Sequence, residues 1–157
     1  VRILGIDPGT AIVGFGVIDV LDGKYKMVDG GVIRTPAKTF DPIRLHTIYD
    51  ELTAIIKDTK PEFMSVEKLF FATNVTTAMS VSQARGVIML AGQQAGLSIH
   101  EYTPLQIKQA LTGYGRAEKK QIQEMVRILL NLKKAPQPDD CADAFAAAIT
   151  YAMNIKS

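Results

Sequence analysis

The sequence predicts an α/β domain, a mixed β-sheet with helices packed around it. Two observations carry this. The first forty residues hold three strand-like runs in succession. After residue 40, short apolar runs alternate with segments of helical periodicity. The resulting order is β-β-β-α-β-α-β-α-α-α, with no linker or internal repeat, so residues 1–157 are expected to form one domain.

Ile3-Leu4-Gly5-Ile6 is a buried-strand run that ends at the turn signal Asp7-Pro8-Gly9. Phe15 to Val20 is a second strand, Leu21-Asp22-Gly23-Lys24 a hairpin turn, and Tyr25 to Arg34 a third strand. Asp41-Pro42 opens a helix, with Asp41 expected as N-cap and Pro42 at the first helical position. Leu45, Ile48, Leu52, Ile55 and Ile56 follow at helical spacing. After Pro61, Phe63-Met64-Ser65-Val66 is a short buried strand closed by Glu67. Residues 76–95, rich in Ala, Val and Gln, form a long helix that Gly96 stops, and Leu97 to Tyr102 is a fifth strand. Thr103-Pro104 starts a helix to Leu111, broken by Gly113-Tyr114-Gly115. The next helix carries Ile122, Met125, Val126, Leu129 and Leu130 on one stripe, with Lys119, Lys120, Gln123 and Arg127 on the other face. Pro136-Gln137-Pro138 is a rigid spacer, and the last helix runs from about Asp139 into Met153.

Composition narrows the function classes. A chain of 157 residues with 47% hydrophobic content can build a real core. With 22% charged residues and no low-complexity stretch, disorder is not expected. No apolar run approaches the ~18–20 residues that span a membrane, and the N-terminus enters a strand without a signal-peptide pattern. The single cysteine, Cys141, excludes a disulfide framework within one chain. A cytoplasmic setting with no membrane partner is the expectation. The net charge of +2 hides an asymmetry. Between Pro104 and Lys134, seven basic residues (Lys108, Arg116, Lys119, Lys120, Arg127, Lys133, Lys134) face only Glu118 and Glu124. That segment carries +5 and the remainder −3. Such a basic surface suits a phosphate backbone, although a solvated helix face has the same composition.

The chemistry-bearing residues are acidic. Asp7 and Glu67 each close a short apolar run, and Asp139-Asp140-Cys141-Ala142-Asp143 opens the last helix. If the first and fourth strands are parallel neighbours, their carboxyl ends share one sheet edge, where open α/β sheets place their sites. Asp140 and Asp143 are three apart and Asp139 and Asp143 four apart, so either pair can share a helix face. Clustered carboxylates hold hard divalent cations together with substrate phosphates, and two such cations form a device for cutting phosphodiesters. Each carboxylate also has a structural alternative: a turn for Asp7, an ion pair with Lys68 for Glu67, helix capping for the aspartates. Three such accidents together at element ends make the weaker account.

Phe70 and Phe71 follow Glu67 closely and can stack on an unpaired base, with one expected exposed and one buried. His46 and His100 lack ligand spacing and are expected to be structural. Cys141 is expected to be a packed thiol. No Walker A or GxGxxG motif occurs, and Gly14-Phe15-Gly16 reads as a small-residue strand entry.

Gly5-Ile6-Asp7-Pro8-Gly9, Val66-Glu67 with Phe70, Gln83-Ala84-Arg85-Gly86, Gln106-Ile107-Lys108-Gln109, Ala117-Glu118-Lys119 and Asp140-Cys141-Ala142-Asp143-Ala144 together resemble the RuvC family of Holliday-junction resolvases. The resemblance runs in order from about Arg2 to Met153. It implies an RNase H-like fold with a five-stranded mixed sheet flanked by helices. It also implies a homodimer that nicks two opposed strands of a four-way DNA junction in recombination and repair, working beside the branch-migration proteins RuvA and RuvB. Matched by position, Asp7, Glu67, Asp140 and Asp143 are the metal-binding carboxylates, two Mg²⁺ per site with Mn²⁺ as a substitute, and Lys119 assists catalysis. Phe70 and Phe71, with Lys108, Arg116, Lys119 and Lys120, are expected on the DNA. Residues 76–95 correspond to the dimer helix. Asp139 departs from the pattern as an extra aspartate, expected as a cap or a residue just outside the ligand set. Rival readings are another RNase H-like nuclease cutting RNA–DNA hybrids, an actin-like ATP binder whose phosphate loop also reads Asp-x-Gly-Thr, and a non-catalytic junction-binding module.

Overall fold

The computed structural model describes residues 1–9, 11–36, 38–69 and 75–155, the side chains of residues 75 and 76 aside. In chain order the elements are β1 (Arg2–Asp7), β2 (Ile12–Leu21), β3 (Lys24–Arg34), α1 (Asp41–Thr59), β4 (Phe63–Glu67), α2 (Val75–Gln94), β5 (Ser98–Tyr102), α3 (Pro104–Thr112), α4 (Lys119–Leu129) and α5 (Asp139–Asn154). The expected order is observed. The strands form one sheet in the order β3-β2-β1-β4-β5. β1 pairs antiparallel with β2 and β2 with β3; β1–β4 and β4–β5 are parallel.

Local chemistry explains the elements. Asp22 (φ 52°) and Gly23 (φ 74°) both take left-handed backbone at the β2–β3 turn, the requirement of a tight hairpin. Thr103 caps α3 in a reciprocal box with Gln106, and Gly113 ends that helix at φ 75°. Three expectations need correction. β2 begins at Ile12 rather than Phe15, because pairing with β3 continues to Ile12–Arg34. Phe40, not Asp41, is the N-cap of α1, since its carbonyl accepts the first helical bond from Arg44 N. Pro138, not Asp139, is the N-cap of α5, its carbonyl accepting from Cys141 N.

Strand alternation divides the core. Leu4, Ile6, Val13, Phe15, Val17, Met64 and Val66 face α1 and α2, meeting Ile48, Leu52 and Ile88. Ile3 and Ile18 face the other side, meeting Ile107, Ile122, Val126, Phe145 and Ile149 of α3, α4 and α5. On that second face the sheet carries a row of small residues. Gly30 pairs with Gly16, Gly16 with Gly5, and Gly5 with Ser65, across four strands. Helix α5 lies directly on this row. A Cβ on Gly5 would stand 1.9 Å from the Ala144 carbonyl oxygen, and one on Gly16 or Gly30 would enter the Phe145 ring. Ser65 Oγ donates 2.6 Å to the carbonyl of Ala147, joining α5 to β4 inside the core.

Gly5→Ala is therefore expected to destabilise the fold by about 1–3 kcal/mol or more, because backbone atoms rather than a flexible side chain must yield. Urea unfolding of the variant reads the loss; an unchanged midpoint would show that α5 does not rest on the sheet backbone.

Candidate active site

The same alternation that puts Gly5 and Ser65 under α5 turns Asp7 and Glu67 toward it, two residues further along β1 and β4. Both strands are parallel and end at the same sheet edge. Gly14, the register partner of Asp7, extends the small-residue contact: a Cβ there would stand 2.0 Å from the Asp140 carbonyl oxygen. The absence of a side chain at Gly14 thus lowers the start of α5 onto the Asp7 edge. Asp143, about a turn further along α5, lines the same cleft as Glu67.

The electrostatics record the convergence. Burial pushes the Asp7 carboxyl well above its ordinary range, and the charges of Glu67, Asp143 and Asp140 push it further. Burial and Asp143 also raise Glu67, against the opposing influence of a hydrogen bond from Asp7 and the charges of Lys119 and Lys108. Both carboxyls of that pair are thus held above their ordinary range. Asp143 is raised by burial and pulled back by Lys119. Asp140, not Asp139, is the member of the acidic pair that acts on Asp7.

Glu67, Asp143, Lys108 and Lys119 line a cleft of about 250 Å³, whose apolar wall is Pro104, Ile107, Ile122 and Ala146. Lys119, at the start of α4, reaches Asp139 at 3.6 Å and Asp143 at 3.7 Å. Arg116 and Lys120 are exposed nearby in sequence but do not line the cleft. Phe70 and Phe71 lie outside the described residues. Neither histidine lines the cleft: His46 pairs with Asp50 on the surface of α1, and His100 stacks on Tyr151 at 4.4 Å. Cys141 is buried, with Sγ 3.7 Å from the Phe15 carbonyl, and burial pushes its thiol up to about 11.

Among the described residues, no three His, Cys, Asp or Glu side chains already close round a common point as a metal site. The donor set nonetheless fits hard cations: oxygen ligands only, buried at Asp7 and half-buried elsewhere, and mutually repelling, so positive charge brought between them relieves a cost the fold already bears.

Arg44 escaped the sequence reading. It is 5% exposed, and its Nη2 donates 3.1 Å to the Gly9 carbonyl, tying α1 to the turn behind Asp7. The signal was present: Arg44 shares a helical stripe with Ile48, Leu52 and Ile56, all buried. The role of Gly14 was equally missed. Glycines at alternate strand positions mark one face, and a clear face invites close packing.

A five-stranded mixed sheet with carboxylates at the edge shared by its two central parallel strands defines an RNase H-like domain. The family model for crossover junction endodeoxyribonuclease RuvC matches residues 3–151. RuvC of Heliobacterium modesticaldum is 56% identical over 153 residues, 98% of this chain and 94% of the relative. RuvC of Brevibacillus brevis is 57% identical over 152 residues, 97% and 92% of the two chains. The structure of Thermus thermophilus RuvC in complex with Holliday junction substrate superimposes with a TM-score of 0.94 at 35% identity, covering 99% of this chain and 94% of that one. The chain belongs to the RuvC family of crossover junction endodeoxyribonucleases.

The raised Asp7 has a consequence for stability. The folded protein binds this proton more tightly than the unfolded chain, so the group's contribution is full below the unfolded value of about 3.9 and is lost as pH rises toward the folded value. In cation-free solution at pH 8, Asp7→Asn keeps a donor toward Glu67 without the charge. It should raise the melting temperature by several degrees, at about 2–4 °C per kcal/mol for a chain of this size. The gap should narrow toward pH 5. Calorimetry in the presence of a chelator reads it, and equal melting temperatures at pH 8 would contradict the repulsion.

Proposed function

We propose that this chain resolves four-way DNA junctions by paired, Mg²⁺-dependent nicks that leave 5′-phosphate and 3′-hydroxyl ends. The observation that carries the reading is the mutual influence of Asp7 and Glu67 at the sheet edge with Asp140 and Asp143 of α5, next to a cleft bearing Lys108 and Lys119. Support also comes from family membership and from the Thermus thermophilus relative, solved on a Holliday junction substrate.

The four carboxylates would hold two divalent cations, Mg²⁺ or Mn²⁺, with Asp7 central because it feels all three of the others. Held there, such cations would supply acidification of a nucleophilic water and neutralisation of charge on the leaving oxygen. The protein's own groups do the rest. Lys119 and Lys108 bring positive charge to the cleft where the scissile phosphate would lie. Arg116 and Lys120, both exposed, would hold more distant phosphates, and the exposed one of Phe70 and Phe71 would stack on a base at the branch. Binding that depends on these cations weakens steeply with salt.

Asp7→Asn should abolish cleavage while leaving junction binding intact. A synthetic mobile junction, labelled strand by strand and incubated with and without Mg²⁺, reads both, with plain duplex and RNA–DNA hybrid as competing substrates. Normal cutting by the variant, or preference for the hybrid, would refute this reading.

A homodimer built on α2 matches a substrate with two-fold symmetry. The inner face of α2, Val81, Ala84, Ile88 and Ala91, packs in the core. Its outer face presents Met79, Gln83, Gly86 and Leu90 at spacings of four, three and four, all exposed, with open space over Gly86. That spacing suits a helix that packs on a partner helix. The dimer would work with RuvA and RuvB, the partners its family implies. Leu90→Glu should shift the protein to monomer in sedimentation velocity and convert paired nicks into single ones; an unchanged dimer would exclude this face.

A further inference from the structure

The acidic start of α5 holds one carboxylate that the proposed reaction does not use, Asp139. Lys119 Nζ stands 3.6 Å from Asp139 Oδ2 and 3.7 Å from Asp143 Oδ2. Asp139 and Asp143 are four residues apart, so they share a face of α5. Asp139 is the outer of the two, its side chain 49% exposed against 24% for Asp143. Capping does not account for it, because Pro138 is the N-cap and no side-chain cap bond forms at this terminus. The helix dipole favours an acid here, but does not call for a lysine from a neighbouring helix set evenly between two acids.

The two partners of Lys119 have different duties. Asp143 belongs to the inner group, where it acts on both Asp7 and Glu67. A cation held at Asp143 competes with Lys119 for the same carboxylate. A lysine with Asp143 as its sole partner would either keep the cation out or be expelled into solvent. With Asp139 at the same reach, the ammonium can pass between carboxylates by a change of rotamer and stay at the mouth of the cleft. We propose that Asp139 is a positioning residue that takes the Lys119 ammonium over from Asp143 when Asp143 engages a divalent cation. The inference rests on the carboxylate site of the preceding section and adds to it a way for one lysine to serve both the cation-free and the cation-loaded state.

The test is a double-mutant cycle read by Mn²⁺ binding to the full chain without DNA, followed by electron paramagnetic resonance. Asp139→Asn should weaken Mn²⁺ binding about two- to five-fold, the range of an exposed ion pair, because Lys119 then rests wholly on Asp143. Lys119→Ala should strengthen it. Adding Asp139→Asn to Lys119→Ala should change little, since the coupling runs through the lysine. Asp139→Glu should retain wild-type binding. Equal weakening by Asp139→Asn in both backgrounds would reduce Asp139 to a bystander charge and overturn the proposal, as would no weakening in either. Asp7→Asn separates the two levels: Mn²⁺ binding unchanged in that variant would place the failure in the carboxylate site itself.

Discussion

Helix α5 meets the sheet at backbone distance, and the active-site edge depends on that contact. The row Gly30, Gly16, Gly5 and Ser65 removes side chains from the path of the helix, and Ala144, Ala147 and Ala148 keep the helix side equally thin. Gly14 continues the clearance to the sheet edge, where Asp140 settles over the Asp7 pair. Larger residues would lift α5 by the thickness of a side chain. Asp140 and Asp143 would then stand too far from Asp7 and Glu67 to act on them. Interior packing this close leaves little room for adjustment, so the distance between carboxylates is set by the absence of atoms beneath them.

What the packing brings together, electrostatics drives apart. Asp7 is buried and Glu67 and Asp143 are half-buried, and each is raised by loss of solvent and by acidic neighbours. A fold can keep such a cluster only if the surrounding elements over-determine it. Here the Ser65–Ala147 bond holds α5 to β4 two residues before Glu67, and Arg44 holds the turn two residues after Asp7. A hydrogen bond joins Asp7 to Glu67 within the cluster. A site that repels itself when empty is well suited to bind positive charge, and a fold that stabilised it fully would lose that capacity.

The basic side of the cleft follows a different logic. Lys108 comes from α3 and Lys119 from α4, two short helices whose apolar stripes (Ile107 and Leu111; Ile122 and Val126) pack against α5. The burial that fixes those helices also fixes where their lysines emerge. Arg127, read from the sequence as part of one polar face with Lys119, is instead engaged by Glu124 and by the Leu132 carbonyl. The basic segment is therefore not a uniform surface: some of its charge faces the cleft and some is committed locally.

Much was legible from residue order alone. The element succession and the helical stripes follow from periodicity and turn chemistry, which act over a few residues; the parallel pairing of the strands bearing Asp7 and Glu67 entered only as a condition, which the sheet meets. Helix starts were misplaced by one residue at Phe40 and Pro138, because a cap is defined by which carbonyl takes the first bond. Spacing to Asp143 favoured Asp140 over Asp139 without deciding between them, since both lie within about a turn of it. The sequence by itself determined which carboxylates stand at element ends and which residue types could bear phosphodiester chemistry. Only the tertiary structure brought the charge of Asp140 to bear on Asp7 and set Asp139 beside Lys119, made Arg44 an anchor, and used Gly14 to bring α5 onto the sheet edge. Those outcomes depend on how one helix lies across four strands, a relation between residues far apart in the chain that no local pattern encodes.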